Sequence, residues 1–153
     1  MTPGIIVAEK AGIDFRIHEY LHDADSESWG EEAAAKLGVP PQQVFKTLIV
    51  STGTGFAVGV VPVSGTLNLK AMAKTLGVRK ISMADPGDAE RVTGYVLGGV
   101  SPLGQKKRLK TVLDRTVEDF ATIFVSAGRR GLEIECSPAD LASLLNATVA
   151  DIS

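Results

Sequence analysis

The chain has 153 residues, of which 44% are hydrophobic and 22% are charged, a composition typical of a globular protein and unlike that of a disordered one. The formal net charge is -2, whereas proteins that bind nucleic acid strongly by themselves are usually basic. No apolar run approaches the roughly 20 residues that span a membrane, and the single cysteine excludes an internal disulfide. The sequence therefore predicts one domain, residues 1–153, in the cytoplasm and without a membrane partner.

The first half of the chain alternates between helix and strand signals. Helix starts are indicated by capping residues and helix ends by glycines, and strands are indicated by alternating apolar positions. In chain order the predicted elements are a helix over 3–11, a strand over 13–20, a polar loop over 21–28, a helix over 30–37, a hairpin of strands 44–51 and 56–63, and a helix that Asn68 caps and Gly77 ends.

The second half of the chain continues with shorter strands and a glycine-rich loop. Hairpins mixed with interspersed helices favour a single α+β domain, with a mixed, strongly curved, barrel-like sheet flanked by helices. The predicted elements are a strand over 79–83, a helix from Asp85 to Gly94, a loop over 95–105, strands over 109–113, 121–126 and 131–136, a helix from Ser137 to about Asn146, and a short strand in the tail 148–152.

Two features that suggest metal or thiol chemistry are better explained by structure. The string His18-Glu19-Tyr20-Leu21-His22 matches the zinc-protease pattern H-E-x-x-H, but that chemistry needs a helix and these residues continue a strand pattern. Cys136 alternates with Leu132 and Ile134, which indicates a buried structural thiol. We therefore expect no metal ion and no cofactor.

Lys46 is an unusual residue in the strand predicted over 44–51. Period two puts it on the same strand face as Val44, Leu48 and Val50, where an unpaired ammonium is costly to bury. One interpretation is an edge-strand lysine that extends to solvent and blocks aggregation. The other is a cation held in a cleft for an anionic or polarised substrate. The residues alone leave both open.

The loop Gly98–Gly104 contains three glycines and a proline, and the cluster Lys106, Lys107, Arg108 and Lys110 follows it. Glycines let a backbone approach a ligand closely, and the basic cluster could contact phosphates. A plain connecting turn and a solvated charged face are the alternatives. Ser126 ends a predicted strand, where its hydroxyl could face a cleft, although a simple hairpin loop accounts equally well for its position.

Together these segments resemble the YbaK family of Cys-tRNA(Pro) deacylases, in the superfamily of the editing insertion domain of bacterial prolyl-tRNA synthetases. The resemblance covers nearly the whole chain and is closest to the cysteine-specific branch. Its most specific segments are Val44–Leu48, Met83–Pro86, Thr93–Tyr95 and the unbroken run Gly98–Leu109, with Val125–Ser126 and Arg130–Leu132 in support.

The resemblance also implies a site, with two departures from the family pattern. Trp29 stands where relatives commonly carry phenylalanine, and Glu133 stands where they carry aspartate, and both changes keep the chemical type of the side chain but alter its size. The implied catalytic residues are Lys46, Gly99 and Ser126; the implied substrate-binding residues are Tyr20, Trp29, Thr47, Gly98, Ser101 and Glu133; and the candidate tRNA contacts are Lys106, Lys107 and Arg108.

The function that the resemblance implies is removal of cysteine from mischarged tRNA(Pro), and from tRNA(Cys) as a further substrate. In such enzymes the thiol of the substrate attacks its own carbonyl, and the protein supplies positioning and electrostatics. The expected partners are aminoacyl-tRNA and prolyl-tRNA synthetase. Two alternatives stay open, namely a hydrolytic editor of alanine or another small amino acid, and a non-catalytic module that binds tRNA or a synthetase.

Overall fold

A computed structural model of the protein describes residues 1–26 and 28–153. Glu27, which belongs to the predicted loop 21–28, lies outside the described residues. The described residues form five α-helices, eight β-strands and two short 3₁₀ helices. None of the helices in these ranges is long and apolar enough to cross a membrane.

The helices begin and end where the capping residues predict. They are α1 (Pro3–Ala11), α2 (Trp29–Leu37), α3 (Leu69–Leu76), α4 (Pro86–Thr93) and α5 (Pro138–Leu145). The side chains of Thr2, Asn68 and Ser137 each accept a hydrogen bond from a backbone N–H of the first turn. Gly77 ends α3 at a φ of 71°, a left-handed conformation that favours glycine. All five predicted helices are confirmed.

The strands form two sheets. They are β1 (Phe15–Glu19), β2 (Phe45–Ser51), β3 (Phe56–Pro62), β4 (Ser82–Met83), β5 (Lys110–Asp114), β6 (Ile123–Arg129), β7 (Leu132–Cys136) and β8 (Thr148–Ala150). The three-stranded sheet has the order β1-β7-β6 and is antiparallel. The five-stranded sheet has the order β4-β2-β3-β5-β8 and is mixed, because β5 runs parallel to both of its neighbours.

The predicted α+β class is confirmed, whereas the predicted barrel-like sheet is not, since no closed barrel is found in residues 1–26 and 28–153. Phe45 and Val58 from the larger sheet share one buried core with Val125 and Ile134 from the smaller sheet. The two sheets therefore meet mainly through packed side chains.

The larger sheet is covered on both faces, which explains its long apolar strands. Residues Ala57–Pro62 of β3 are all buried. On the face away from the smaller sheet, α3 packs through Met72 and Ala73 onto Val50 and Val61. A strand with both faces covered reads as a continuous apolar run, as β3 does.

An isolated backbone bridge connects the two sheets near the start of β2. Val44, just before β2, forms an isolated parallel bridge with Phe124 of β6. The side chains of both residues pack with Ala33 and Ala34 of α2. This junction fixes α2, the start of β2 and β6 relative to one another, and it forms one wall of the cleft described next.

Candidate active site

A cleft of about 220 Å³ opens where the two sheets, α2 and the glycine-rich loop meet. Most of its surface is apolar, and Val44, Val63 and Leu97 contribute to it. Seven of the predicted site residues line the cleft, namely Tyr20, Trp29, Lys46, Thr47, Gly98, Ser126 and Glu133. A mostly apolar cleft with a few polar groups is the usual form of a small-molecule site.

Lys46 lies in this cleft, in register with Val61 of β3. Its side chain is half-buried, and no carboxylate of the described residues lies within ion-pairing distance of it. Of the two interpretations that the sequence left open, this location favours the cleft cation over the edge-strand lysine. An unpaired ammonium among apolar walls is a binding point for an anion or for developing negative charge.

Glu133 forms the acidic part of the cleft. It is in register with Ser126 on the neighbouring strand and is only 6% exposed. Burial raises its pKa from the ordinary value of 4.5 to about 8, so the carboxyl is mainly protonated at neutral pH and can donate a hydrogen bond. Burial, followed by the charge of Glu133, also raises the pKa of Tyr20, which keeps its phenol protonated.

Two hydroxyls lie close to these groups. The Ser126 hydroxyl oxygen accepts a hydrogen bond from the backbone N–H of Gly128 at 3.1 Å, next to a bulge in β6. The hydroxyl oxygen of Thr47 is buried and has no hydrogen-bond partner among the described residues. Buried polar atoms are nearly always paired, so this unpaired hydroxyl is an exception, and it belongs to a residue that lines the cleft.

The glycine loop makes its close approach to the protein's own backbone. A Cβ atom on Gly99 would lie 2.6 Å from the Cα atom of Arg129, so only glycine fits there. Gly99 is buried, is not among the residues that line the cleft, and donates its N–H to the carbonyl of Val96 at 3.0 Å. The predicted catalytic residue Gly99 thus lies behind the cleft wall, and its N–H is already used.

Ser101 also differs from its predicted place. It is fully buried and absent from the cleft lining, and its hydroxyl oxygen accepts a hydrogen bond from the N–H of Leu103 at 3.1 Å. The phenol of Tyr95 donates to the carbonyl of Leu103 at 2.5 Å, and Gly104 lies against Pro3 of α1. This end of the loop is held by internal hydrogen bonds, because it packs under α1 and away from the cleft.

The basic cluster lies on the surface, outside the cleft. Lys106, Lys107 and Arg108 are exposed, and Lys107 and Arg108 line a second groove together with Leu144 and Leu145 of α5. The backbone N–H groups of Lys106 and Lys107 bond to the end of α4. The cluster is therefore accessible to a large polyanion and does not contribute to the cleft.

The sequence did not indicate Arg130, His22 and Glu32 as one unit. The guanidinium of Arg130 stacks on the ring of Trp29, with its central carbon 3.8 Å from the ring centroid. One Arg130 N–H donates to His22 Nε2 at 3.0 Å, and His22 Nδ1 lies 2.9 Å from Glu32 Oε1. No local pattern links these residues, because they come from a hairpin turn, a loop and a helix.

The chemistry of a protein nucleophile finds little support in the described residues. His22 bonds Glu32 and Arg130, and His18 Nε2 bonds Glu135 at 2.8 Å, so neither histidine serves Ser126 as a base. Cys136 is 1% exposed, and burial raises its pKa to about 12, which keeps the thiol protonated. The prediction of a buried thiol is confirmed.

The H-E-x-x-H string does not form a helix. β1 covers its first two residues, and the remainder lies in the loop that follows, so the predicted extended conformation is confirmed and the strand ends one residue earlier than predicted. Within residues 1–26 and 28–153, no group of three or more histidine, cysteine or acidic side chains is placed to hold a metal ion.

Comparison with known proteins identifies the family. The family model for the aminoacyl-tRNA editing domain matches residues 24–144. The chain belongs to the aminoacyl-tRNA editing domain family. The resemblance seen in the sequence is thereby confirmed, and the cleft lies within the matched part of this editing domain apart from Tyr20.

Individual relatives of this editing domain agree. It is 37% identical over 153 residues to the "Putative Cys-tRNA(Pro)/Cys-tRNA(Cys) deacylase EbsC" of Enterococcus faecalis, covering 99% of this chain and 93% of that one. A proline–tRNA ligase of Streptococcus suis is 29% identical over 101 residues, which are 66% of this chain and 16% of the ligase. The solved structure of a "putative trans-editing enzyme for prolyl tRNA synthetase" has the same fold, with a TM-score of 0.87, 23% identity and coverage of 100% and 98%.

Proposed function

We propose that this protein is a trans-editing deacylase that removes cysteine from mischarged tRNA(Pro), and also cysteine carried by tRNA(Cys). The observation that supports this most is the presence of seven implied site residues, Lys46 among them, in one cleft. The printed name of the Enterococcus faecalis relative, which is similar over nearly its full length, supports the same substrates. Cytoplasm is the proposed place of action, because aminoacyl-tRNA is made and used there.

We infer that the thiol of the substrate is the nucleophile. The cysteine sulfur forms a bond to its own carbonyl carbon, and an oxyanion develops on the carbonyl oxygen. The ester C–O bond then breaks, the thiol proton passes to the ribose oxygen, and the products are a cyclic thioester and free tRNA. This route needs no base from the protein, which agrees with the pairing of both histidines to other groups.

The cleft residues have distinct roles in this reaction. Lys46 stabilises the developing oxyanion or anchors the terminal nucleotide, and losing such a preorganised charge typically costs about a hundredfold or more in rate. Protonated Glu133 can donate a hydrogen bond to the substrate, and Tyr20 and Ser126 supply further polar contacts. Thr47 contributes the one buried hydroxyl that has no protein partner in the described residues.

A deacylation panel tests this function. Cys-tRNA(Pro), Ala-tRNA(Pro) and Pro-tRNA(Pro) are incubated with the protein, and loss of the aminoacyl group is followed over time. We expect rapid loss of cysteine and little loss of alanine or proline. Equal rates for alanine and cysteine would instead indicate a hydrolytic editor, and no loss from any of the three would indicate a module that only binds.

A further inference from the structure

Arg130 is fixed at the rim of the cleft by contacts on several sides. One face of its guanidinium lies against Trp29 at 3.8 Å, a favourable cation–π distance. A Cβ atom on Gly98 would lie 2.4 Å from Arg130 Nε and 3.0 Å from Trp29 Cε3, so the absence of a side chain at Gly98 makes room for the stack. Trp29 and Gly98 both line the cleft, which places the guanidinium at its edge.

A hydrogen-bonded relay, which runs from Glu32 through His22 to Arg130, holds the guanidinium in place. Glu32 is 8% exposed, and its two carboxylate oxygens meet His22 Nδ1 at 2.9 Å, the N–H of Asp23 at 2.8 Å and Lys36 Nζ at 3.4 Å. Although burial acts in the opposite direction, these bonds lower the pKa of Glu32 and keep it ionised. Ionised Glu32 accepts a hydrogen bond from the Nδ1–H group of His22, which leaves Nε2 as an acceptor for Arg130.

Within residues 1–26 and 28–153, most of the hydrogen-bonding capacity of Arg130 is unused. A guanidinium has several N–H donors in one plane, and the bond to His22 uses one of them. Among the described residues, no carboxylate lies within 4 Å of Arg130, although neighbouring Arg129 pairs with Glu19 at 2.9 Å. A half-buried, oriented guanidinium without a carboxylate is suited to an anion that offers two acceptor oxygens on one side, as a phosphate does.

We propose that Arg130 binds the 5′-phosphate of the 3′-terminal nucleotide of the substrate, and that Trp29, His22 and Glu32 are positioning residues for it. This inference rests on the proposed function. The ester of an aminoacyl-tRNA is attached to the terminal ribose, so a phosphate lies one sugar away from the bond that reacts. In this proposal Lys46, which lines the cleft, faces the ester, and Arg130, at the rim, faces the phosphate.

The test compares substrates that differ only in this phosphate. We would measure kcat/KM for two substrates, the 2′(3′)-cysteinyl ester of adenosine and that of adenosine 5′-phosphate. The proteins compared are the wild type, Arg130→Ala, Arg130→Lys and Arg129→Ala. A charge-assisted hydrogen-bonded pair corresponds to about 10- to 100-fold in kcat/KM. We expect Arg130→Ala to lose that factor on the phosphorylated ester and to stay within about twofold on the other ester. Arg130→Lys should recover part of the loss, and Arg129→Ala should lose nothing.

His22→Ala tests the relay with the same pair of esters. We expect a smaller loss, about threefold to tenfold, again confined to the phosphorylated ester, because Arg130 keeps its charge but loses its orientation. Equal losses on both esters, for Arg130→Ala or for His22→Ala, would mean a purely structural role and would overturn the proposal. No loss on either ester for Arg130→Ala would overturn it as well. Thermal unfolding of each variant checks that the fold survives.

A binding measurement separates this proposal from the proposed function. Equilibrium binding of adenosine and of adenosine 5′-phosphate requires no cleavage, so it can be read even if the wild type cleaves no cysteinyl ester. We expect the wild type to prefer the phosphate by about tenfold or more and Arg130→Ala to show no preference. If the wild type cleaves cysteinyl-tRNA but binds adenosine and adenosine 5′-phosphate equally well, the proposed phosphate site is wrong while the deacylase function stands.

Discussion

The cations of the cleft and those that follow the glycine loop are the same residue types in different surroundings. Lys46 and Arg130 are half-buried, and each lies against apolar or aromatic cleft walls. Lys106, Lys107 and Arg108 are exposed to water and stand close together on one loop. Salt screens a partly buried charge little, so its electrostatic interaction with a neighbouring group is strong. Exposed charges are screened by salt, so each of them interacts only weakly with a large partner. We therefore expect burial, more than the number of charges, to distinguish a cation that acts on the reacting group from cations that bind the body of the tRNA.

The largest effect is expected from the cleft cation Lys46. We predict that Lys46→Ala lowers the rate of deacylation of Cys-tRNA(Pro) by about a hundredfold or more while the protein stays folded. Lys70, an exposed lysine on α3, provides the matched control, and Lys70→Ala should keep the wild-type rate. Single-turnover kinetics and a thermal melt measure both properties. Near-wild-type turnover by folded Lys46→Ala would mean that deacylation does not take place in this cleft.

The surface cluster should affect binding and not chemistry. Replacing Lys106, Lys107 and Arg108 together by alanine should weaken tRNA binding about a hundredfold or more at about 0.1 M salt and reduce the slope of log affinity against log salt by about two to three units. Single-turnover rates at saturating tRNA should not change. Replacement of Lys70, Lys74 and Arg79 removes the same charge elsewhere, and an equal loss there would mean that only net charge matters.

We also expect the exposed cluster alone to bind tRNA too weakly for efficient editing. The net charge of -2 predicts modest tRNA affinity for the isolated protein, and docking on prolyl-tRNA synthetase would raise its effective concentration near the mischarged product. The same titrations are therefore repeated with the synthetase present, which should tighten binding. Tight, salt-resistant binding by the isolated protein, unchanged by the synthetase, would contradict the proposed partnership.

The buried acid Glu133 should make stability depend on pH. Its folded-state pKa of about 8 exceeds the ordinary value of 4.5, so the native state keeps a proton that the unfolded chain releases. The stabilisation is complete below about pH 4.5 and is lost as pH rises through 8, at up to about 1.4 kcal/mol per pH unit. Urea unfolding at pH 5, 6.5 and 8 should show this fall in the wild type and a smaller fall in Glu133→Gln.

Glu135 on the same strand provides the control of opposite sign. The hydrogen bond from Thr122 lowers the pKa of Glu135, with burial opposing and His18 adding to the effect. Its contribution is therefore present above its ordinary pKa and is lost as pH falls through the lowered value. Glu135→Gln should leave the fall in stability between pH 5 and 8 unchanged. If Glu133→Gln also keeps the wild-type fall, Glu133 is ionised in the folded protein.

The smallest effect on activity is expected from Cys136. We predict that Cys136→Ser keeps the deacylation rate within about twofold, because this thiol is buried and protonated and the proposed reaction uses the sulfur of the substrate. The free energy of unfolding should fall by about 1–3 kcal/mol, since a hydroxyl replaces a thiol in the core. A folded Cys136→Ser protein without activity would instead assign the chemistry to a protein thiolate.

Elements that depend on local rules were predictable from the sequence. Caps such as Asn68 and Ser137 start helices through bonds to the next turn, and the alternation around Lys46 fixes a strand face. The strand predicted over 79–83 is shorter in the structure, where only Ser82–Met83 pairs with β2. Pairing depends on a distant partner, and local sequence does not contain that information.

The same limit applies to the site. Residues inside β2, β6 and β7 reached the cleft as expected, because strand register places them there. Gly99 and Ser101 did not, because the loop packs on Arg129 and under α1. Arg130 was missed because its partners, Trp29 and His22, are about a hundred residues away in sequence.

Whether the substrate supplies its own nucleophile can be tested by replacing its sulfur with oxygen. Cys-tRNA(Pro) and Ser-tRNA(Pro) differ by a single atom, sulfur against oxygen. Their aminoacyl groups are nearly the same size, so a cleft of about 220 Å³ has room for either one. A pocket alone discriminates such isosteres weakly, whereas attack by a thiol needs the sulfur. We expect initial deacylation rates at least about a hundredfold higher for cysteine than for serine. Equal rates for the two substrates would contradict it.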